Sequence, residues 1–282
     1  MLSPVKTLDV VVMVDIGEYM APLISGIVVA LSSWLPTSPE GYSLVRFLSA
    51  HYASYGDYMV PAYLGVTFAV LFYFKERIAL GSQNALRRSF DPGIKYFVYA
   101  AIFTILLGYP LLTGLSDLAG SKVSDFINAL VGFMIFLLGL FLGRFHPVLE
   151  RVEGKMREEK DEPTLIDSIS SGLLQGVSLL GGLSRSGFVL LSLLFSGLSV
   201  KKALELSFMI APVYFVMKLA FMEGWDPALP ISLLFTSFLA AFVGSILTMK
   251  GLLKLVDLLG ERLFLMVFGL IAVAVYLVGV IL

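Results

Sequence analysis

"GLLQGVSLLGGLSRSGFVL" (Gly172–Leu190) lies without a gap on "GIVVALSSWLPTSPEGYSL" (Gly26–Leu44), 146 residues earlier in the chain. Gly26/Gly172, Ser32/Ser178, Ser38/Ser184, Gly41/Gly187 and Leu44/Leu190 are identical. Each stretch sits inside a longer apolar region, Ala21–Ala50 and Ile166–Leu198, and interrupts it with Gly, Pro and Ser. Proline withholds a backbone N–H and glycine relaxes the helical backbone, so each region reads as two half-length helices joined by a turn. Irregular backbone at membrane depth survives only where it faces protein or a wet cavity. Two re-entrant hairpins are therefore expected.

The surroundings point to a membrane. Mean hydropathy is +0.90, with 58% of residues hydrophobic and 15% charged. A soluble domain carries about 25% charged residues, so this chain cannot coat a water-facing surface. Besides the broken regions, six runs are long enough to cross a bilayer, which takes roughly 20 helical residues. They cover Asp57–Phe74, Ile94–Leu112, Asp125–Phe145, Lys201–Met222, Ile231–Met249 and Leu263–Leu282. The runs are continuous rather than alternating, which excludes a barrel. The predicted class is an all-α integral membrane protein of six transmembrane helices plus two re-entrant helical hairpins arranged as an inverted repeat.

Basic residues agree with that count. Lys75, Arg77, Arg87, Arg88 and Lys95; Arg144, Arg151, Lys155, Arg157 and Lys160; Lys201 and Lys202; and Lys250, Lys254 and Arg262 fall in four connections. Six spans place all four on one side, the cytoplasmic side by the positive-inside rule. The opposite connections hold only Lys122. The division expected is 1–20 as an N-terminal extension, 21–149 as a first repeat, 150–163 as a charged cytoplasmic linker and 164–282 as a second repeat. Each repeat is a hairpin followed by three spans, and an odd number of spans inverts the second half. "MVPAY" (Met59–Tyr63) and "MIAPVY" (Met209–Tyr214) extend the similarity. Inverted repeats with broken helices meeting near the midplane are the transporter-like plan.

A net charge of −1 says nothing of a nucleic-acid partner, and none is expected. The absence of cysteine excludes disulfides. Two Asn and two Gln in the whole chain suit a thermophilic source. The run Val10–Val14, interrupted downstream by Asp15 and Glu18, does not make a cleavable signal peptide.

The sharpest residue is Arg185, an arginine within an apolar region, costing about 2.5–3.5 kcal/mol on insertion scales. Around it stand Gly181, Gly182, Ser184, Ser186 and Gly187. Glycines let backbone N–H groups approach a ligand, the next half-helix points its positive end at the turn, and arginine grips phosphate in a fork. Gly182, Ser184, Arg185, Ser186 and Gly187 thus make a candidate diphosphate cradle. A buried carboxylate, Glu40 or Glu205, is the alternative partner for Arg185. The other turn offers Ser38 and Glu40, and the candidates for catalysis are Ser38, Glu40, Ser184 and Arg185, with Ser38 or Ser184 placed at the phosphorus and Glu40 a general base or a ligand for a divalent metal (Mg or Ca). Glu205 and Lys218 stand at span ends, where snorkelling accounts for them. His51 and His146 stand alone at helix ends.

These motifs resemble the undecaprenyl-diphosphate phosphatase family, membrane enzymes that recycle the polyprenyl carrier lipid of cell-wall synthesis. "GGLSRSG" (Gly181–Gly187) is similar to the family's P-G-x-S-R-S-G, with glycine for proline. "ALELSFMIAP" (Ala203–Pro212), "SFLAAFVGSILTMKGLLKLV" (Ser237–Val256) and "VALSSWLPTSPEGY" (Val29–Tyr42) resemble further family segments. In the last, the family's two glutamates fall on Val29 and Ser33, its second serine on Pro39 and its histidine on Tyr42. Of the acting residues, Ser38, Ser184, Arg185 and Ser186 remain, with Glu40 the nearest substitute carboxylate and Glu18 more remote. No histidine follows "SRSG" at the spacing of the other large lipid-phosphatase family. The resemblance implies hydrolysis of a polyprenyl diphosphate by a multi-pass protein of the cell membrane. A non-hydrolytic polyprenyl-phosphate transporter or flippase on the same scaffold is the alternative. Neither lipid identity nor oligomeric state is legible.

Overall fold

The computed structural model describes residues 16–52, 55–86, 91–115, 121–141, 162–222 and 229–281. The expected N-terminal extension (as far as residue 15), most of the 150–163 linker, and His146 lie outside them. The described chain is helical: α1 (Met20–Trp34), α2 (Tyr42–His51), α3 (Met59–Tyr73), α4 (Lys75–Leu86), α5 (Pro92–Gly114), α6 (Lys122–Phe141), α7 (Leu165–Ser178), α8 (Arg185–Phe195), α9 (Val200–Phe221) and α10 (Ile231–Ile281).

Helix ends are written in the sequence. Asp91 caps α5 with Pro92 in its first turn, Thr164 and Asp167 form a capping box on α7, and Ser184 and Ser199 cap α8 and α9. Each cap supplies an acceptor for N–H groups that no preceding turn can satisfy. At about 1.5 Å per residue, a straight helix of α10's length would far exceed a bilayer about 30 Å thick. Gly260, at φ 73° and ψ 157°, divides α10 into two arms.

Four helices, α5, α6, α9 and α10, are long and apolar enough to cross a membrane, and α3 with the start of α4 makes a fifth if that bent pair counts as one span. The burial pattern matches a lipid solvent. Gln175 and Ser184 are fully buried, while Ile231 is 83% and Leu106 66% exposed. Polar groups turned inward and large apolar ones outward suit hydrocarbon surroundings, where protein supplies the hydrogen bonds. The chain is a multi-pass membrane protein.

Both expected breaks are present. α1 stops at Trp34 and α2 starts at Tyr42; α7 stops at Ser178 and α8 starts at Arg185. The glycines equated at the 146-residue offset do the same work. A Cβ on Gly26 would lie 2.5 Å from the Ser237 carbonyl oxygen of α10, and one on Gly172 would lie 2.5 Å from that of Ala100 on α5. Neither leaves room for a methyl group, so each lets the first limb of a broken pair cross a long helix at backbone contact.

Two expectations need amending. The connection expected over Lys75–Lys95 contains α4, whose axis bends 64° from α3. Lys75, Glu76 and Arg77 at its start explain the bend, since charges at bilayer depth are costly. The connection expected near Lys250–Arg262 is helical as far as the Gly260 break. Charge marks where a chain meets water, not where a helix stops.

Candidate active site at the meeting of two helix breaks

The turns at the two breaks touch. Ser184 and Ser186, from the second, donate their hydroxyls to the carbonyl of Leu35 in the first; the Ser184 bond is 3.4 Å and the Ser186 bond is closer. Leu35 is the C-cap of α1, so its carbonyl lacks an intrahelical donor and is free to accept. Ser184 also caps α8 by accepting from the Gly187 N–H at 3.1 Å.

Arg185 ties the breaks together from behind. It is 4% exposed; Nη1 donates to the Ser207 carbonyl at 2.8 Å and Nη2 to the Ser33 carbonyl at 3.1 Å. Its guanidinium lies 5.1 Å from the Trp34 ring and 5.8 Å from the Phe215 ring, a cation–π arrangement. Nε is buried without a partner. Arg185 is therefore paired with backbone carbonyls and aromatic faces rather than with Glu40 or Glu205. Glu205 lies 3.9 Å from Arg77, both side chains partly exposed.

Glu40 is committed elsewhere. One carboxylate oxygen lies 2.6 Å from Lys218 Nζ and the other accepts from the Tyr63 hydroxyl at 2.8 Å, with the Gly182 N–H a further donor. Lys218 does not snorkel: its side chain is 9% exposed, and its ammonium turns inward. From sequence, Lys218 is a lysine near a helix end, and its partner 178 residues away leaves no local signal. These contacts do not fit a divalent cation at Glu40, which would meet the Lys218 ammonium at one oxygen and a donated proton at the other. Among the described residues, no three His, Cys, Asp or Glu side chains gather as a metal set.

Two residues that sequence reasoning passed over complete the junction. Asn128 on α6 donates to the Gly182 carbonyl and accepts from the Ser184 N–H, both at 2.7 Å, and so holds the second turn from both sides. Asp125, one helical turn earlier, accepts from the Ser43 N–H at 2.7 Å and from the Ser43 hydroxyl at closer range. A small cleft between the first turn, α6 and the second arm of α10 is lined by Thr37, Ser38, Gly41, Asp125, Asn128 and Tyr276. Two buried polar residues at i and i+3 in an apolar run share a helix face, and that spacing was the available signal.

Of the predicted site residues, the structure brings Ser184, Ser186 and Arg185 against the first break, with Gly182 bonded to Asn128. Ser38 lies in the same turn as Glu40, accepting its N–H at 3.3 Å, but Ser38 faces the cleft while Glu40 faces Lys218 and Tyr63. The family glutamate positions are closed. Val29 is fully buried, and the Ser33 hydroxyl donates back to the Val29 carbonyl at 2.6 Å.

A family model described as bacitracin resistance protein BacA matches residues 22–276, almost the whole chain. The chain belongs to the BacA family. Its similarity to curated members is modest but long. A protein of Dechloromonas aromatica named undecaprenyl-diphosphatase is 27% identical over 270 residues, covering 91% of this chain and 94% of its own. One of Ralstonia pickettii with the same name is 28% identical, covering 92% and 96%. A third, from Methanococcoides burtonii, is 28% identical over 67% of this chain and 72% of its own. The expected family resemblance is thus borne out.

Proposed function

We propose that this BacA-family chain hydrolyses a polyprenyl diphosphate of the undecaprenyl type to the monophosphate, at the junction of its two helix breaks in the cell membrane. The observation that carries the reading is the junction itself. Ser38 and Asn128 line one cleft, Ser184 is held by Asn128, and the next residue, Arg185, keeps a buried positive charge behind the two turns, on the Ser33 and Ser207 carbonyls. Relatives covering nine-tenths of the chain are named undecaprenyl-diphosphatases. A diphosphate arriving at the junction meets hydroxyl donors, the N-terminal end of α8 and a low-dielectric surround that strengthens each interaction with its charge.

In this reading Gly182, Ser184, Ser186 and Gly187 shape the phosphate seat, and Ser38 stands beside the reacting phosphorus. Arg185 offsets its charge while keeping both turns in register. Glu40 takes a holding part, because acting as a base would require its release from Lys218, Tyr63 and Gly182. The test is phosphate release by purified protein, with divalent cation and with chelator, on a long-chain polyprenyl diphosphate and its monophosphate side by side. Release from the diphosphate alone is expected; equal release from both, or none from either, counts against the reading.

For the scaffold we propose six spans and two re-entrant hairpins, α1–α2 and α7–α8, entering from opposite sides, with the arms of α10 as two of the spans. The paired Gly26 and Gly172 crossings support a repeat. The chain has no native thiol, so single cysteines report sidedness directly. Cysteines at Glu76 and Lys254, both exposed, are expected to react with an impermeant maleimide from one side, and a cysteine at Lys122 from the other. Labelling of all three from the same side would remove the topology.

A further inference from the structure

We infer that Asp125 is the catalytic carboxylate of this site, the base that takes the proton from the attacking water; this rests on the hydrolytic reading above. Four observations on different elements converge on it. Asp125 is 5% exposed, so its charge is held in a poorly solvated place. One carboxylate oxygen is fixed by the Ser43 N–H and hydroxyl at the start of α2, which sets the orientation of the group. The other faces the first break: a Cβ on Gly41 would come within 3.0 Å of it, and 3.0 Å from the Ser38 carbonyl oxygen. A side chain at position 41 would therefore stand between Asp125 and the turn that carries Ser38. Asp125 and Ser38 both line the cleft, together with Asn128, which holds Ser184.

The two carboxylates near the breaks differ in what they can still do. Both oxygens of Glu40 are bonded to donors on α3 and α9. Asp125 has its donors gathered on one oxygen and turns the other to the cleft. Other groups with charge or a titratable proton near it are Lys122 on its own helix, whose ammonium is 5.8 Å from the Tyr42 ring centre, Tyr42 itself, and Tyr276 of the second α10 arm across the cleft. Lys122 stands close to the start of α6, where an approaching diphosphate headgroup meets a cation before it meets Asp125.

The chemistry balances without a further reagent. A water molecule in the cleft gives a proton to Asp125 as its oxygen bonds to the terminal phosphorus of the diphosphate. The bond from that phosphorus to the bridging oxygen breaks, and the bridging oxygen with its electron pair stays on the polyprenyl monophosphate. Inorganic phosphate leaves, and Asp125 returns its proton to solvent. Ser38 and Asn128 orient the water and the phosphoryl oxygens, which is where a well-placed base gains most of its effect.

The test uses the full chain in detergent with undecaprenyl diphosphate as the probe, reading turnover, KM and lipid binding. Asp125→Asn keeps an oxygen for the Ser43 N–H but cannot accept a proton from water. It is expected to lose about 10²-fold or more in kcat, with KM and lipid binding within threefold of wild type. Asp125→Ala supplies a second reading. Added formate, small enough for the vacated volume, is expected to restore part of the turnover, which a residue that merely caps α2 does not permit. Asp125→Asn with kcat within threefold of wild type overturns the inference, as does an inactive Asp125→Ala that formate leaves inactive. A wild type that releases no phosphate overturns the hydrolytic reading and this inference with it. An active wild type with an active Asp125→Asn overturns this inference alone.

Discussion

Arg185→Lys is expected to weaken binding of a polyprenyl diphosphate by roughly 10-fold or more, and to loosen the junction of the two helix breaks. Both effects follow from geometry that a lysine cannot reproduce. The guanidinium fork spans carbonyls on two different helices, Ser33 at the end of α1 and Ser207 on α9, while lying against Trp34 and Phe215. An ammonium is a single point with no planar face, so it reaches one carbonyl at best; turned to Ser207, which already has a helical donor, it leaves the Ser33 carbonyl at the end of α1 without one. Each hydrogen bond from a charged group contributes about 1.5–3 kcal/mol, and an orphaned buried acceptor costs about 1–3 kcal/mol. Arg185→Lys is therefore expected to lower both the midpoint of thermal unfolding and the affinity for the lipid diphosphate. Unchanged binding with unchanged stability would show that Arg185 neither anchors the ligand nor holds the junction.

Lys218→Met is expected to be more damaging to folding than any change at the surface. It leaves the Glu40 carboxylate, only 15% exposed, without its countercharge. Breaking one half of a buried ion pair costs about 3–5 kcal/mol, whereas replacing both halves by neutral groups is often close to neutral. The double variant Glu40→Gln/Lys218→Met should therefore recover most of the stability lost by Lys218→Met alone. It should also still release phosphate, since Glu40 holds the turn rather than moving protons. A recovered but catalytically dead double variant would return Glu40 to the role of base. A double variant as unstable as the single one would show that the Tyr63 and Gly182 contacts, not the charge pair, dominate there.

The two breaks could be read from sequence because they are punctuated: Pro36 and Pro39 in one, Gly181 and Gly182 in the other, the latter two at positive φ. The run lengths and basic residues likewise gave the long apolar helices. Helix α4 was missed because its charges look like a loop to any hydropathy argument. The site was half legible. Ser184, Ser186 and Arg185 stood out as polar groups in an apolar region, and they do meet the other break. The residues that complete the junction around them did not stand out, for two different reasons. Lys218 carries the usual signature of a snorkelling residue, and only the fold turns it inward to Glu40. Asp125 and Asn128 sit in the first turns of an ordinary-looking span, 82 residues from Ser43 and 56 from Ser184 respectively. No local pattern records a contact made at that separation; packing between helices creates it.

The central claim is that this junction cleaves the phosphoanhydride rather than only holding the lipid, and identification of the lipid product tests it most directly. Purified wild-type protein, incubated with undecaprenyl diphosphate in detergent, is sampled over time and the lipid read by mass spectrometry, with inorganic phosphate measured in the same samples. The account predicts that the lipid loses a single phosphoryl unit, ends as the monophosphate, and yields one phosphate for each lipid converted. A lipid that binds in an Arg185-dependent way, yet remains the diphosphate throughout with no phosphate released, would contradict it.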